Sequence, residues 1–371
     1  MRILLMLWWT GCAIQTWIGD PWWRMPGVGV VMMTAATIFV VLLWQCSPRG
    51  RGVRAGVYVS ALVALQSPAV VSAVWPLLPE HPPIVVRPSA VSAAVTAAAA
   101  VMAVTAWLLV RAWLSAGRRS YVSHRPARAW RDTAGLAALV IALYFLADIA
   151  AHGLKAGAQA AFGVEGMSGY PDVPGSGFAA FGWALATYAP AGAVEEPVYV
   201  GLLALLWPRL RARTFIPLAL VSSLARASMH VYYAAGATPL VAAIGAVVLW
   251  CAVWSSASLL LIYRSRMLWP VIVGHGLLNA VGVVGDDYRL GGVLLTAVVM
   301  TVPPAALGVL SFAGLRYGLV TYGPRLRAAA VRRSWVRPLS GIGGGAASAA
   351  NAGLVVQVEG GGQAAVDRDR G

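Results

Sequence analysis

The feature that most constrains this chain is the repetition of apolar runs about 20 residues long, each of the length a helix needs to cross a hydrocarbon core of ~30 Å. Such runs lie at 27–46, 55–77, 90–112, 133–152, 178–206, 214–233, 239–262, 268–284 and 291–315. Composition agrees. Hydrophobic residues make up 59% of the chain, charged residues 11%, and mean hydropathy is +0.73, whereas a soluble domain is about one quarter charged. The expected fold is an all-α, polytopic transmembrane helix bundle of nine spans.

A shorter apolar run, Ile3 to Ile18, precedes these and is either a tenth span or an uncleaved signal-like segment. No Ala-x-Ala site follows it, and the bulky Trp22-Trp23-Arg24 comes next, which argues against cleavage. Arginines cluster in every second loop: Arg49, Arg51 and Arg54; Arg111, Arg118, Arg119, Arg125, Arg128 and Arg131; Arg209, Arg211 and Arg213; Arg264 and Arg266; then Arg316, Arg325, Arg327, Arg332, Arg333 and Arg337. The intervening loops carry Glu80 and His81, then Glu165 and Asp172, then Asp286 and Asp287. By the positive-inside rule the arginine loops are cytoplasmic, and so is the C-terminus of this multi-pass cell-membrane protein.

The net charge of +15 is thereby explained by arginines meeting anionic lipid at the inner leaflet. They are spread over topogenic loops, so membrane lipids are expected as partners and nucleic acid is not. Cys12, Cys46 and Cys251 lie in or beside apolar segments, with no spacing of a disulfide framework or zinc ribbon. From about Pro338 the chain turns to Gly, Ala and Ser, a composition that cannot bury a core. Three regions are expected: N-terminal transmembrane helices over 1–132, a transmembrane core over 133–317, and a basic, then Gly/Ala-rich, disordered cytoplasmic tail over 318–371.

Function must then come from the few polar residues within the spans. Glu195-Glu196-Pro197 interrupts the long apolar stretch from Gly177 to Trp207. A charged side chain at mid-bilayer costs about 2.5–3.5 kcal/mol on insertion scales, so it carries function or has a neutralising partner. Pro197 removes a backbone donor and loosens the helix beside the acids. Arg226 and His230 share a helical face at i,i+4, as do His275 and Asn279. Two carboxylates with one guanidinium can be satisfied inside hydrocarbon, leaving the other acid tuned as a general base. Two imidazoles and an amide supply either donors for an oxyanion or ligands for a metal.

Taken singly, each residue has a plainer reading. An intramembrane Glu also serves proton or ion translocation, Arg226 serves as a structural counter-ion, and His275 or Asn279 as an interhelical hydrogen-bond partner. Asp148 and His152, also at i,i+4 but near the outer end of their span, are read as structural or interfacial, and Asp286-Asp287 as a solvated outer turn.

The series Glu-Glu, a histidine at the end of a later helix, then His-x-x-x-Asn resembles the CPBP family of intramembrane proteases. That family includes the CAAX prenyl endopeptidases and bacteriocin-immunity-like bacterial proteins. The resemblance covers roughly residues 177–284. It implies an endopeptidase in which Glu195 activates water, Glu196 supports it, and His230, His275 and Asn279 hold the water or a metal and stabilise the oxyanion. It further implies a membrane-embedded or lipidated peptide substrate. Zinc on Glu195, His230 and His275 and a metal-free, glutamate-activated water are equally consistent with these residues, and the helical His-Glu-x-x-His signature is absent.

Two positions depart from the family pattern. Val200 stands where Glu-Glu-x-x-x-Arg ends, and Arg226 stands where Phe-x-x-x-His begins. The expectation is that the guanidinium has moved one helix along and still pairs with Glu196. The alternatives to a protease are a catalytically silent scaffold or immunity protein and a proton-coupled transporter.

Overall fold

The computed structural model describes residues 1–18, 26–78, 88–116, 130–167, 178–209, 211–285 and 293–335. Twelve α-helices follow one another, with no sheet among the described residues: α1 (Arg2–Ile18), α2 (Pro26–Gln45), α3 (Arg51–Val74), α4 (Ala90–Ala116), α5 (Trp130–Ala161), α6 (Phe178–Tyr188), α7 (Ala191–Glu196), α8 (Leu202–Leu206), α9 (Ala212–His230), α10 (Leu240–Ser265), α11 (Trp269–Gly285) and α12 (Val293–Trp335). Among the described residues eight helical stretches are long and apolar enough to cross a membrane, α6 to α8 counting as one, and Trp269–Val283 within α11 is a shorter apolar helix. The chain is an all-α polytopic bundle, and its first 323 residues form one compact unit.

Spans and helices coincide in place and differ in length. Helix α5 continues to Ala161, so Asp148 and His152 lie inside a helix that extends past the apolar run. Helix α12 continues to Trp335, past the stretch that ends at 315. The outer loops containing Glu80, Asp172 and Asp286-Asp287, the arginines at 118, 119, 125, 128 and 337, and the Gly/Ala-rich tail lie outside the described residues.

Two sets of contacts define the ends of the bundle. At one end the final carbonyls of α8 lack intrahelical partners and are satisfied from neighbouring elements: Arg54 Nη1 donates to Leu206 O at 3.0 Å, Tyr263 Oη to Trp207 O at 2.5 Å, and Arg266 Nη1 to Pro208 O at 3.0 Å. Cations at a helix C-terminus also oppose its dipole. At the other end Glu165 and Thr238 exchange backbone hydrogen bonds of 2.9 and 3.0 Å, tying the chain after α5 to the chain before α10. Gly166 and Gly236 adopt positive φ of 71° and 76° beside this bridge, a conformation that favours glycine.

The middle of the bundle is where α5, α7, α9, α10 and α11 pack together. Small residues bring α11 close to the α6–α7 segment. A Cβ on Gly192 would collide with Ile272 O, Gly276 N and His275 Cβ, and one on Gly276 with Ala189 O. Close backbone approach of this kind drives helix association where lipid removes the hydrophobic incentive.

Candidate active site

The acids sit where the helix is interrupted. Pro190 caps α7, and Pro197 opens a π-helical turn over Pro197–Gly201 that joins α7 to α8. Proline cannot donate the amide hydrogen bond of a regular helix, and the resulting widened turn is a device often found at functional sites. Glu195 and Glu196 are the last two residues of α7, 6% and 0% exposed.

Glu196 is the anchored member of the pair. Its Oε1 accepts from Tyr144 Oη at 2.9 Å and from His275 Nδ1 at 2.9 Å, and it lies 2.8 Å from Nη2 of Arg226. Four helices therefore meet on one carboxylate oxygen: α5 through Tyr144, α7, α9 through Arg226, and α11 through His275. The guanidinium is fully buried, lies 4.0 Å from the ring centre of Trp254 and 5.5 Å from that of Tyr199, and so is held by charge and by aromatic faces. Its approach to Glu196 is a charge contact without an aligned N–H···O bond, and its Nε and Nη1 have no acceptor among the described residues.

Glu195 is the less committed member. Its Oε2 stands 3.9 Å from Arg226 Nε and has no hydrogen-bond donor among the described residues. One guanidinium against two carboxylates leaves one negative charge, and the distances place Arg226 with Glu196.

Both histidines have their tautomers set by what Nδ1 meets. His275 donates from Nδ1 to Glu196, and Nδ1 of His230 lies 2.8 Å from the carbonyl of Arg226, one turn back in α9. An Nδ1–H engaged by an oxygen acceptor leaves Nε2 of a neutral imidazole as an acceptor. Each ring therefore offers a lone pair to a water or a metal, and donates to an oxyanion only once protonated.

The residues singled out from the sequence are brought together unequally. Glu196, Arg226 and His275 are in direct contact, and Glu195 borders them. His230 joins through Trp254, whose ring centre is 5.7 Å from that of His230 and 4.8 Å from that of His275. Asn279 is one turn from His275, but its Nδ2 donates to Tyr188 O at 3.1 Å, bracing α11 on α6. Asp148 and His152 pair at 3.2 Å on α5, with His152 against Trp250.

Two contributors escape a reading of charges and histidines alone. Trp254 on α10 donates from Nε1 to Tyr144 Oη at 2.6 Å, and Tyr144 Oη in turn donates to Glu196. A tyrosine in the middle of a predicted span and a tryptophan far from either membrane interface were the available signals, since each needs a partner for its polar atom in lipid. Behind them Gln66 on α3 donates to Val194 O at 3.3 Å and accepts from Tyr199 Oη at 3.2 Å, holding the α7 backbone from the opposite side.

The fit to a metal is poor. Among the described residues no group of three or more His, Cys, Asp or Glu side chains is arranged to hold an ion. A buried guanidinium already supplies the positive charge beside Glu196.

Residues 177–281 match the family model of the type II CAAX prenyl endopeptidases described as Rce1-like. No curated protein and no solved structure matches the chain. The matched segment contains both glutamates, Arg226, both histidines and Asn279, and excludes Tyr144 and Gln66. The buried acids, guanidinium and imidazoles of this polytopic helical bundle thus fall inside a segment similar to the Rce1-like CAAX prenyl endopeptidases, which supports an intramembrane protease of the CPBP type.

Proposed function

We propose that this protein is an intramembrane endopeptidase of the CAAX type in which Glu195 is the general base and no metal takes part. The observation that carries this reading is the division of labour between the adjacent acids. Glu196 is tied to Tyr144, His275 and Arg226, while Glu195 keeps an oxygen free at the edge of the same cluster. A base must have a lone pair to offer; Oε2 of Glu196 is also without a donor, but that carboxylate is fixed through Oε1 by three partners, whereas Glu195 has Arg226 only at 3.9 Å.

In this reading a water held by Glu195 Oε2 and the free Nε2 of His230 or His275 attacks the scissile carbonyl carbon, and its proton passes to Glu195. The oxyanion that forms is met by the unpaired N–H groups of Arg226 and the second amide proton of Asn279. Collapse breaks the C–N bond, and the proton on Glu195 goes to the leaving amine. Positioning falls to Tyr144 and Trp254, which orient Glu196 and through it His275. The substrate is a membrane-embedded or lipidated peptide.

The test is cleavage of membrane peptides, prenylated C-termini among them, by protein in liposomes with and without a chelator. Glu195→Gln is expected to lower the rate about 10²–10⁴-fold, the range of a lost general base, while the protein unfolds at the wild-type temperature. Chelator is expected to leave the wild type unaffected. A folded wild type that cleaves no peptide, or a Glu195→Gln protein that keeps its activity, would move the protein to the scaffold class. Glutamate-dependent proton flux without cleavage would make it a transporter.

A further inference from the structure

At the basic end of the bundle, away from the acids, a cavity of about 250 Å³ opens among the ends of α4, α8 and α10 and the start of α11. Its wall is apolar and aromatic, with Trp107, Leu205 and Leu268, and its lining includes two arginines, Arg111 and Arg266. Both cations are positioned. The Arg111 guanidinium carbon is 5.6 Å from the ring centre of Trp107, and Arg266 donates to Pro208 O at 3.0 Å. Gly201 makes the floor, where a Cβ would come within 3.0 Å of Trp107 and 3.1 Å of Leu268.

Arg266 carries a second, independent mark. It ends α10 in the left-handed region at φ 62°, the one non-glycine residue with positive φ among the described residues. Glycine is the residue that ends a helix there without strain. An arginine in its place brings a charge to the cavity at a conformational cost, and an uncommon backbone conformation of this sort concentrates at sites with a task.

We infer that this cavity binds the phosphate headgroup of an anionic glycerophospholipid, held between Arg111 and Arg266, with the acyl chains running outward along the apolar helix faces. Basic pockets between transmembrane helices on the arginine-rich side take anionic headgroups. The volume is below that of a pocket enclosing a whole drug-sized molecule, about 300 Å³ or more, and so suits a headgroup whose chains remain in the bilayer. Neither arginine belongs to the site around Glu196, so the inference stands apart from the protease reading.

The experiment is native mass spectrometry of the detergent-purified full chain with equimolar phosphatidylglycerol and phosphatidylcholine. The wild type is expected to retain the anionic lipid about thirtyfold over the zwitterionic one, as two arginines near a headgroup imply. The double variant Arg111→Gln, Arg266→Gln is expected to bring that ratio to near one. Ala204→Phe keeps both charges, fills the cavity from α8, and is expected to weaken retention as well. An excess of inorganic phosphate should leave the bound lipid in place. A preference that survives both variants, or a wild type without one, overturns the inference. Displacement by inorganic phosphate assigns the cavity to a free anion and overturns it equally.

Discussion

Two membrane spans of this protein are almost equally weak in hydrophobicity and opposite in everything else. Ala179–Leu206, which contains α6, α7 and α8, has 61% of its apolar window buried inside the protein, whereas Pro304–Pro324 in α12 has 11%. The first is weak because it carries Glu195 and Glu196, and other helices surround those acids with Tyr144, Arg226 and His275. The second includes Arg316 and faces outward, with Val309 70% exposed, Phe312 71% and Leu319 73%. Low hydropathy thus has two causes in one molecule: polarity turned inward and neutralised by protein, and polarity on an outward-facing helix, where the long stem of Arg316 can carry its charge away from the apolar surface. The first kind marks a site.

The comparison is broken most directly by removing one arginine from each span's surroundings. Arg226→Ala leaves Glu196 as a buried charge without its cation, a loss of about 3–5 kcal/mol. Arg316→Ala removes an exposed side chain and should stay within about 0.5 kcal/mol of wild type. Unfolding of both variants in one detergent measures the contrast. If Arg226→Ala unfolds with the wild type, the guanidinium is not the neutralising charge, and the pairing at 2.8 Å does no energetic work.

A smaller effect sharpens the assignment of roles inside the buried span. Tyr144→Phe deletes the hydroxyl that gives Glu196 a hydrogen bond and takes one from Trp254, leaving a buried indole N–H unpaired. Hydrogen bonds to charged groups contribute about 1.5–3 kcal/mol, and a stability loss in that range is expected. If Tyr144 positions the site, kcat falls with KM nearly unchanged. A stability loss with unaltered kcat would reduce it to a packing residue.

Much of this was legible in the sequence, and the part that was not has a physical reason. Apolar runs set the helices, because hydrocarbon thickness dictates their length. The contact of Glu196 with Arg226 followed from charge neutralisation: two acids and one guanidinium in two spans have few ways to be satisfied except together. Tyr144 and Trp254 were overlooked because they count as apolar in a hydropathy window, although each carries a polar atom that lipid cannot satisfy. Asn279 shows the reverse limit. Spacing put it on the face of His275, yet its Nδ2 bonds to Tyr188 O, since a long face touches more than one neighbour. Helices α5 and α12 outrun their apolar runs because helix formation does not stop where hydrophobicity does.

The smallest expected effect separates the two spans by sign. Gly308 in α12 is exposed, and a Cβ built on it meets nothing within 4 Å. Alanine there removes backbone freedom from the unfolded chain and should stabilise by about 0.5–1 kcal/mol, the difference in helix propensity. The same substitution at Gly192 has the opposite sign, because its Cβ would meet the carbonyl of Ile272 and the backbone of Gly276, atoms that cannot move without shifting α11 and with it His275. Paired unfolding midpoints of the two alanine variants decide the matter. If both rise, the α7–α11 contact is looser than described and His275 is not held against Glu196 by packing. If Gly192→Ala alone falls and activity falls with it, the close approach of these two helices is what sets the site.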